Sequence, residues 1–188
     1  LLDIVEASLP QLLDTNVAAT AMTLEQHLPS LHAGALSLLD SQAHRQLGYL
    51  TVLIEPQHLT EALDKANTTL LAKSKHVTED MYVTYLSLLC ELDPDRLIPF
   101  IDCCRGVLDG SKIEEILERA HEYDTLVWHI YTSGQQQRAF EELGRIMESA
   151  TTRLLQASVS RIEEASAMRD IERVARMGLK LVSQPVEQ

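Results

Sequence analysis

Apolar residues recur along this chain at the three-to-four-residue spacing of an amphipathic helix, and almost nowhere at the two-residue spacing of a strand. A first helix is predicted over about Leu2–Asp14, with Leu2, Val5, Leu9, Leu12 and Leu13 on one face. Pro10 removes a backbone donor inside it and is expected to kink or divide it. Asn16 is placed to cap a second helix ending near Leu28. Ser30 is placed to cap a third, carrying Leu31, Ala35, Leu38 and Leu39. A fourth runs from about Gln42 to Ile54 through Leu47, Leu50, Val52 and Leu53. Glu55-Pro56 ends it and opens a fifth that reaches or breaks before Lys73, followed by a polar connector over 73–78. Thr78, with Glu79 and Asp80 in the first turn, starts a helix whose core face is Met81 or Tyr82, Tyr85, Leu86, Leu88 and Leu89.

Asp93-Pro94 is the sharpest boundary, with Asp as cap and Pro in the first helical turn. Leu97, Ile98, Phe100 and Ile101 follow, and Pro99 keeps that helix short or bent. After a turn over Gly106–Gly110, Ser111 and Glu114 form a capping box before Ile113, Ile116, Leu117 and Ala120. Asp124 is read as the cap of the next helix, which holds Leu126, Val127, Ile130 and Tyr131 and stops at Ser133-Gly134. A long helix begins near Gln135, with Ala139, Leu143, Ile146, Met147, Ala150 and Leu154 inward. Ser160 and Glu163 make a second capping box for the last helix, striped by Ile162, Ala165, Ile171, Val174, Ala175, Gly178 and Val182. Asn-Gly dipeptides are absent, the single Asp-Gly, Asp109-Gly110, lies in the turn before Ser111 and not between two strand-like runs, and aromatics are only 4% of residues, too few for a sandwich core. Many short helices joined by short loops predict an all-α fold, an irregular α-solenoid of stacked antiparallel hairpins over 1–188 as one segment. A weak internal echo, Leu12 to Asn16-Val17 against Leu89 to Asp93-Pro94, fits no tight fixed-period repeat.

The net charge of −12 is uneven. Residues 1–77 have 8 acids and 4 bases, residues 78–144 have 14 and 5, and residues 145–188 have 6 and 7. The acidic middle argues against nucleic acid as a partner, because no positive field gathers phosphates. The closing segment carries Arg145, Arg153, Arg161, Arg169, Arg173, Arg176 and Lys180, a basic face beside the acidic one. Arg161, Arg169 and Arg173 are the candidate partner-binding residues. Reversing their charge is expected to weaken assembly with a partner while leaving the helices intact. No apolar run is long enough for a membrane span. The chain starts at Leu1, inside an apolar pattern, and reads as a piece of a longer protein.

Candidate chemistry is sparse. Glycine-rich phosphate loops and Gly-x-Ser-x-Gly are absent. Cys90, Cys103 and Cys104 offer no disulfide framework and read as small buried hydrophobes in a reducing, cytosolic setting. Of seven histidines, His121 and His129 with Cys104 make the best zinc set, but they fall on separate predicted elements, so no metal and no cofactor is expected. Solvated or capping histidines are expected instead. Glu114, Glu115, Glu118 and Glu122 read as the solvated face of one helix, with Lys112 and Arg119 interleaved. Two carboxylates in one environment do not divide acid from base work. Trp128, the only tryptophan, reads as a packing residue. No catalytic residue is assigned.

Tyr82-Val83, Leu86, Leu88-Leu89-Cys90, Asp93-Pro94, Leu97 and Pro99-Phe100 together resemble the "Y-x-x-L-L-C-x-x-D-P-x-x-L-x-P-F" passage of the class C vacuolar protein sorting subunits, a clathrin-heavy-chain-like repeat family. Ile113 to Glu118, Ala120 and Tyr123 match the helix that follows, and Gly134 with Ala139-Phe140 resembles its "G-D-x-x-x-A-F" turn. Leu12-Leu13 through His27-Leu28-Pro29 is similar to an upstream passage, with Leu28 where Phe is usual. The chain departs from the pattern at His129–Ser133, where "L-L-E-K" is usual, and at Gln135, where Asp is usual. The resemblance implies a non-catalytic scaffold in an endosomal tethering complex acting in vesicle fusion and transport to the vacuole or lysosome. It implies a cytoplasmic location, peripheral on endosomal or vacuolar membranes. The implied partners are the other subunits of the complex, and an early-endosomal Rab GTPase through the parent protein. A propeller and a RING-type zinc module flank such segments, and neither is within these residues. The related solenoids of HOPS subunits and of the clathrin heavy chain are the nearest alternatives; a helical-bundle enzyme or ligand-binding domain is the remote one.

Overall fold

Helices account for nearly all the regular structure of this chain. The computed structural model describes residues 2–55, 76–156 and 161–183. Ten α-helices lie among them: α1 (Leu2–Thr15), α2 (Val17–His27), α3 (His32–Leu39), α4 (Ala43–Ile54), α5 (Glu79–Leu92), α6 (Leu97–Cys103), α7 (Gly110–Arg119), α8 (Tyr123–Thr132), α9 (Gln136–Gln156) and α10 (Arg161–Ser183). Short 3₁₀ turns, Pro29–Leu31 and Pro94–Arg96, lead into α3 and α6. No strand occurs among the described residues; one isolated bridge joins Arg105 to Leu108. The chain divides into two compact units, residues 1–94 and 95–188.

In the first unit, α1 to α4 pack on one another and α5 packs on α4. Leu9, Leu13, Leu24, Ala35, Leu39, Tyr49, Leu50 and Leu53 from the first four helices are buried, with Tyr85, Leu86 and Leu89 from α5. Each large side chain taken out of water contributes about 1.5–3 kcal/mol. The helix ends are tied by side chains. Asn16 Oδ1 accepts the Ala19 N–H at 2.9 Å, capping α2 as its position predicts. The buried Thr20 hydroxyl reaches the carbonyls of Leu12 and Asn16. Arg45 of α4 donates to the Leu13 carbonyl and to the Asp14 carboxylate, meeting one orphan carbonyl at the end of α1 with a cation. Tyr85 and Thr51 join their hydroxyls across α4 and α5 at 3.2 Å.

Several local expectations are corrected in this unit. α1 runs unbroken through Pro10, which lies on the exposed side, where water can take the one carbonyl it leaves unbonded. Leu12 and Leu38 are each 44% exposed, because α1 and α3 bury narrower stripes than the spacing suggests. Ser30 caps nothing: it sits inside the 3₁₀ turn, and Leu31 precedes α3 without a side-chain cap. The predicted helix after Glu55 and the first half of the polar connector, residues 73–75, lie outside the described residues. Thr78 does cap α5, accepting from the Met81 N–H, and all six predicted core residues behind it are buried.

In the second unit, α8 is the central element, packed on α6, α7, α9 and α10, while α9 and α10 form the most extensive helix pair. Asp93 closes α5, and the α-helical part of the next element begins only at Leu97, after a 3₁₀ turn. The cap of α7 is Asp109, whose Oδ1 accepts the Ser111 N–H at 3.2 Å, so cap and helix start lie two residues earlier than the predicted Ser111 box places them. At the start of α8, Glu122 occupies the cap position without a side-chain cap bond, and Asp124 lies in the first turn. Both carboxylates are held elsewhere, as described below. Gly134 ends α8 at φ 84°, a left-handed conformation glycine adopts without strain. On α10, Ala167, Val174 and Met177 are buried, whereas the predicted Ala165 and Ala175 are exposed. The Ser160 capping box and the side chains of Ile162 and Val182 lie outside the described set. Cys90 and Cys104 are buried, but Cys103 is exposed, since α6 turns its last residue to solvent. Trp128 is half-buried, short of a core position.

Candidate functional site

The carboxylate row of α7 and the α7–α8 turn is where the charged residues of the second unit converge. Glu114 and Glu118 stand one turn apart on α7, and Glu122 follows in the turn. Residues four apart share a helix face, so the row points one way. Arg138 and Arg145, seven apart on α9, meet it. Arg138 holds Glu114 with both terminal nitrogens, Nη1 at 3.1 Å from Oε1 and Nη2 on Oε2. Arg145 donates to Glu118 at 2.9 Å and to Glu142 of its own helix. Arg173 of α10 completes the row, at 2.8 Å from Glu122 and 2.7 Å from Asp124. Three arginines from two helices therefore brace α7, its following turn and the start of α8.

The electrostatics follow from this pairing. The bond to Glu114 raises the basicity of Arg138, and the bonds to Glu142 and Glu118 raise that of Arg145. Burial works against the charge of Arg173, but Asp124 and Glu122 outweigh it and raise its basicity too. Glu122 is only 8% exposed. A carboxylate this deep requires a partner, and Arg173 supplies it.

This corrects the reading of the glutamates as one solvated face. Glu115, paired with Arg119 on its own helix, is exposed and Glu118 is largely so, but Glu114 and Glu122 are mostly covered. It also divides the three arginines singled out by charge. Arg173 is committed inside the unit. Arg169 is exposed, and its Nε donates to the Ala165 carbonyl one turn back. The side chain of Arg161 lies outside the described residues. The α7–α9 bridges were invisible to pattern reading because 24 to 27 residues separate their partners. The one available signal is that each pair recurs at a helical spacing, Glu114–Glu118 four apart and Arg138–Arg145 seven apart.

Beside Arg173, His121 adopts φ 60°, uncommon for a residue with a side chain, and its Nδ1 lies 2.7 Å from the Tyr123 hydroxyl. His121, Tyr123, Asp124, Arg173 and Val174 line a shallow hollow. Two histidines depart from the solvated expectation. His32 is buried in the first unit, between the Tyr49 hydroxyl at 2.6 Å and Glu25 at 2.9 Å. His129 is buried in the second, and its imidazole makes no hydrogen bond among the described residues. No three His, Cys, Asp or Glu side chains group in metal-holding geometry among the described residues. No described helix is long and apolar enough to cross a membrane. The site is thus a set of intramolecular braces, with Arg169 and the outer sides of α9 and α10 left open.

Neither a family profile, nor a curated protein, nor a solved structure matches this chain.

Proposed function

We propose that this chain is a non-catalytic, partner-holding segment of an endosomal membrane-tethering complex, built as an irregular α-solenoid. Its residue pattern is most similar to vacuolar protein sorting-associated protein 8, a subunit of the CORVET tether. On this reading the segment works at the cytoplasmic face of endosomal or vacuolar membranes. It spaces the flanking modules of its parent protein, contacts neighbouring subunits, and reaches an early-endosomal Rab GTPase through that parent. A stack in which each hairpin touches only its neighbours suits a spacer, because length grows without one large core.

The observation that carries the reading is where the resembling residues fall. Tyr82, Leu86, Leu88, Leu89, Cys90, Leu97, Phe100, Ile113, Ile116 and Leu117 are all buried in α5, α6 and α7. The shared pattern is therefore the inward pattern of consecutive short helices, the part of a helical repeat that packing constrains. The test is affinity capture of the tagged full-length parent from its own cells. Tethering-complex subunits and an early-endosomal Rab are expected in stoichiometric yield. Their absence, with clathrin or no partner recovered, overturns the proposal.

A further inference from the structure

We propose that His129 is an acid-sensitive latch in the second unit: a proton on its imidazole loosens the packing of α8 against the start of α7 and strains the Glu114–Arg138 bridge. The inference is independent of the tethering reading. It begins from burial. His129 is 8% exposed, and its ring nitrogens find no hydrogen-bond partner among the described residues. Its Nε2 abuts Gly110, the first residue of α7: a side-chain carbon built there would lie 3.6 Å from that nitrogen. The start of a helix carries partial positive charge, a poor neighbour for a cation.

The charged groups that act on the ring come from three elements. Arg105 lies in the turn after α6, Glu114 on α7 and Arg138 on α9. The two arginines oppose a further positive charge, and Glu114 favours one. Glu114, however, already accepts both terminal nitrogens of Arg138. The carboxylate that would favour a protonated His129 is therefore already engaged. Its own carbonyl is taken as well, accepting from the Ser133 N–H, the Ser133 hydroxyl and the Thr132 hydroxyl.

Burial first, and then the two arginines against the partial help of Glu114, lower the affinity of His129 for a proton. The sign of the stability effect follows. A histidine in the unfolded chain takes up its proton near pH 6.5. The folded chain takes it up only at lower pH, so between those two points the unfolded state binds more protons. Stability contributed here is intact above about pH 6.5 and falls as pH drops below it toward the folded value.

Trp128 is the only tryptophan and precedes His129 directly, so its fluorescence reports the second unit. Urea unfolding of the full chain followed at Trp128 should show the midpoint falling between about pH 7.5 and pH 5.5. The unfolding constant should rise by at most about tenfold per pH unit, the limit for one proton. His129→Gln should flatten this response, and His121→Gln should leave it as it is. A full response in His129→Gln, or its loss in His121→Gln, overturns the proposal. Should His129→Gln fail to fold, an NMR titration of the wild-type imidazole decides. Protonation at a pH well below the unfolded-chain value supports the latch, and protonation at or above that value refutes it.

Discussion

Tyr49 has no exposed surface, and among the described residues its hydroxyl meets one hydrogen-bonding group, Nδ1 of His32. An ionised Glu25 can only accept, so Nε2 of His32 donates to it and, in the neutral ring, Nδ1 accepts the Tyr49 proton. Burial, and then the Glu25 charge, push the Tyr49 hydroxyl further from ionising. One chain of hydrogen bonds thus fixes the rotamers of α2, α3 and α4 where they meet. Tyr49→Phe should cost about 1–3 kcal/mol, because it leaves a buried ring nitrogen unmet; an unchanged urea midpoint would count against the network. The caps make a second case at this scale. Asp109→Ala should cost about 1 kcal/mol, and Ser111→Ala close to nothing, because Asp109 alone holds a first-turn N–H of α7. Equal losses in the two variants, read by chemical denaturation, would restore Ser111 as the cap. The sequence pattern pointed to Ser111 through its capping box, whereas the cap in the structure is Asp109, two residues earlier.

Between elements, the braces on α7 decide how α9 and α10 sit on α8. Surface ion pairs are usually worth little, and Arg176 with Glu172, both exposed, belongs to that class. Arg173 differs because its partner Glu122 is buried, so removing the guanidinium strands a desolvated carboxylate. Arg173→Met should destabilise the chain by about 1–3 kcal/mol, whereas Arg169→Met should stay within about 0.5 kcal/mol. Equal effects in thermal melts would mean that the bridge is solvated. The same reasoning changes what charge reversal can test. Arg173→Glu places a third carboxylate beside Glu122 and Asp124 and damages the unit itself, so a partner surface on α10 is probed through Arg169, not Arg173. The aromatic contact between Tyr131 and Phe140, edge to face at 6.3 Å, joins α8 to the start of α9 on the resembling glycine turn. That turn was legible in Gly134 and its neighbours; its aromatic closure was not.

At the scale of the whole chain, helix dominates both units. Far-UV circular dichroism should show a helical spectrum with strand content well below about a fifth, the ordinary share of a globular protein; a larger strand signal would contradict the fold. Helix positions, the all-α class and most of the core were readable from the chain alone, because a 3.6-residue period and its capping residues are local properties. Leu86, Leu89, Leu97, Phe100, Ile113 and Leu117 could be placed inward with no knowledge of what covers them. Charge told less. It marked Arg161, Arg169 and Arg173 as one basic face and Glu114 to Glu122 as one acidic face, yet only tertiary packing decides which charges meet. Arg173, though exposed, is spent on Glu122 and Asp124, Arg138 is spent on Glu114, and Arg169 is exposed with its Nε on the Ala165 carbonyl. His32 and His129 became buried groups for the same reason. A helical period says which side of a helix faces inward, while the identity of the neighbour across that face depends on contacts between residues far apart in sequence, which no local pattern records.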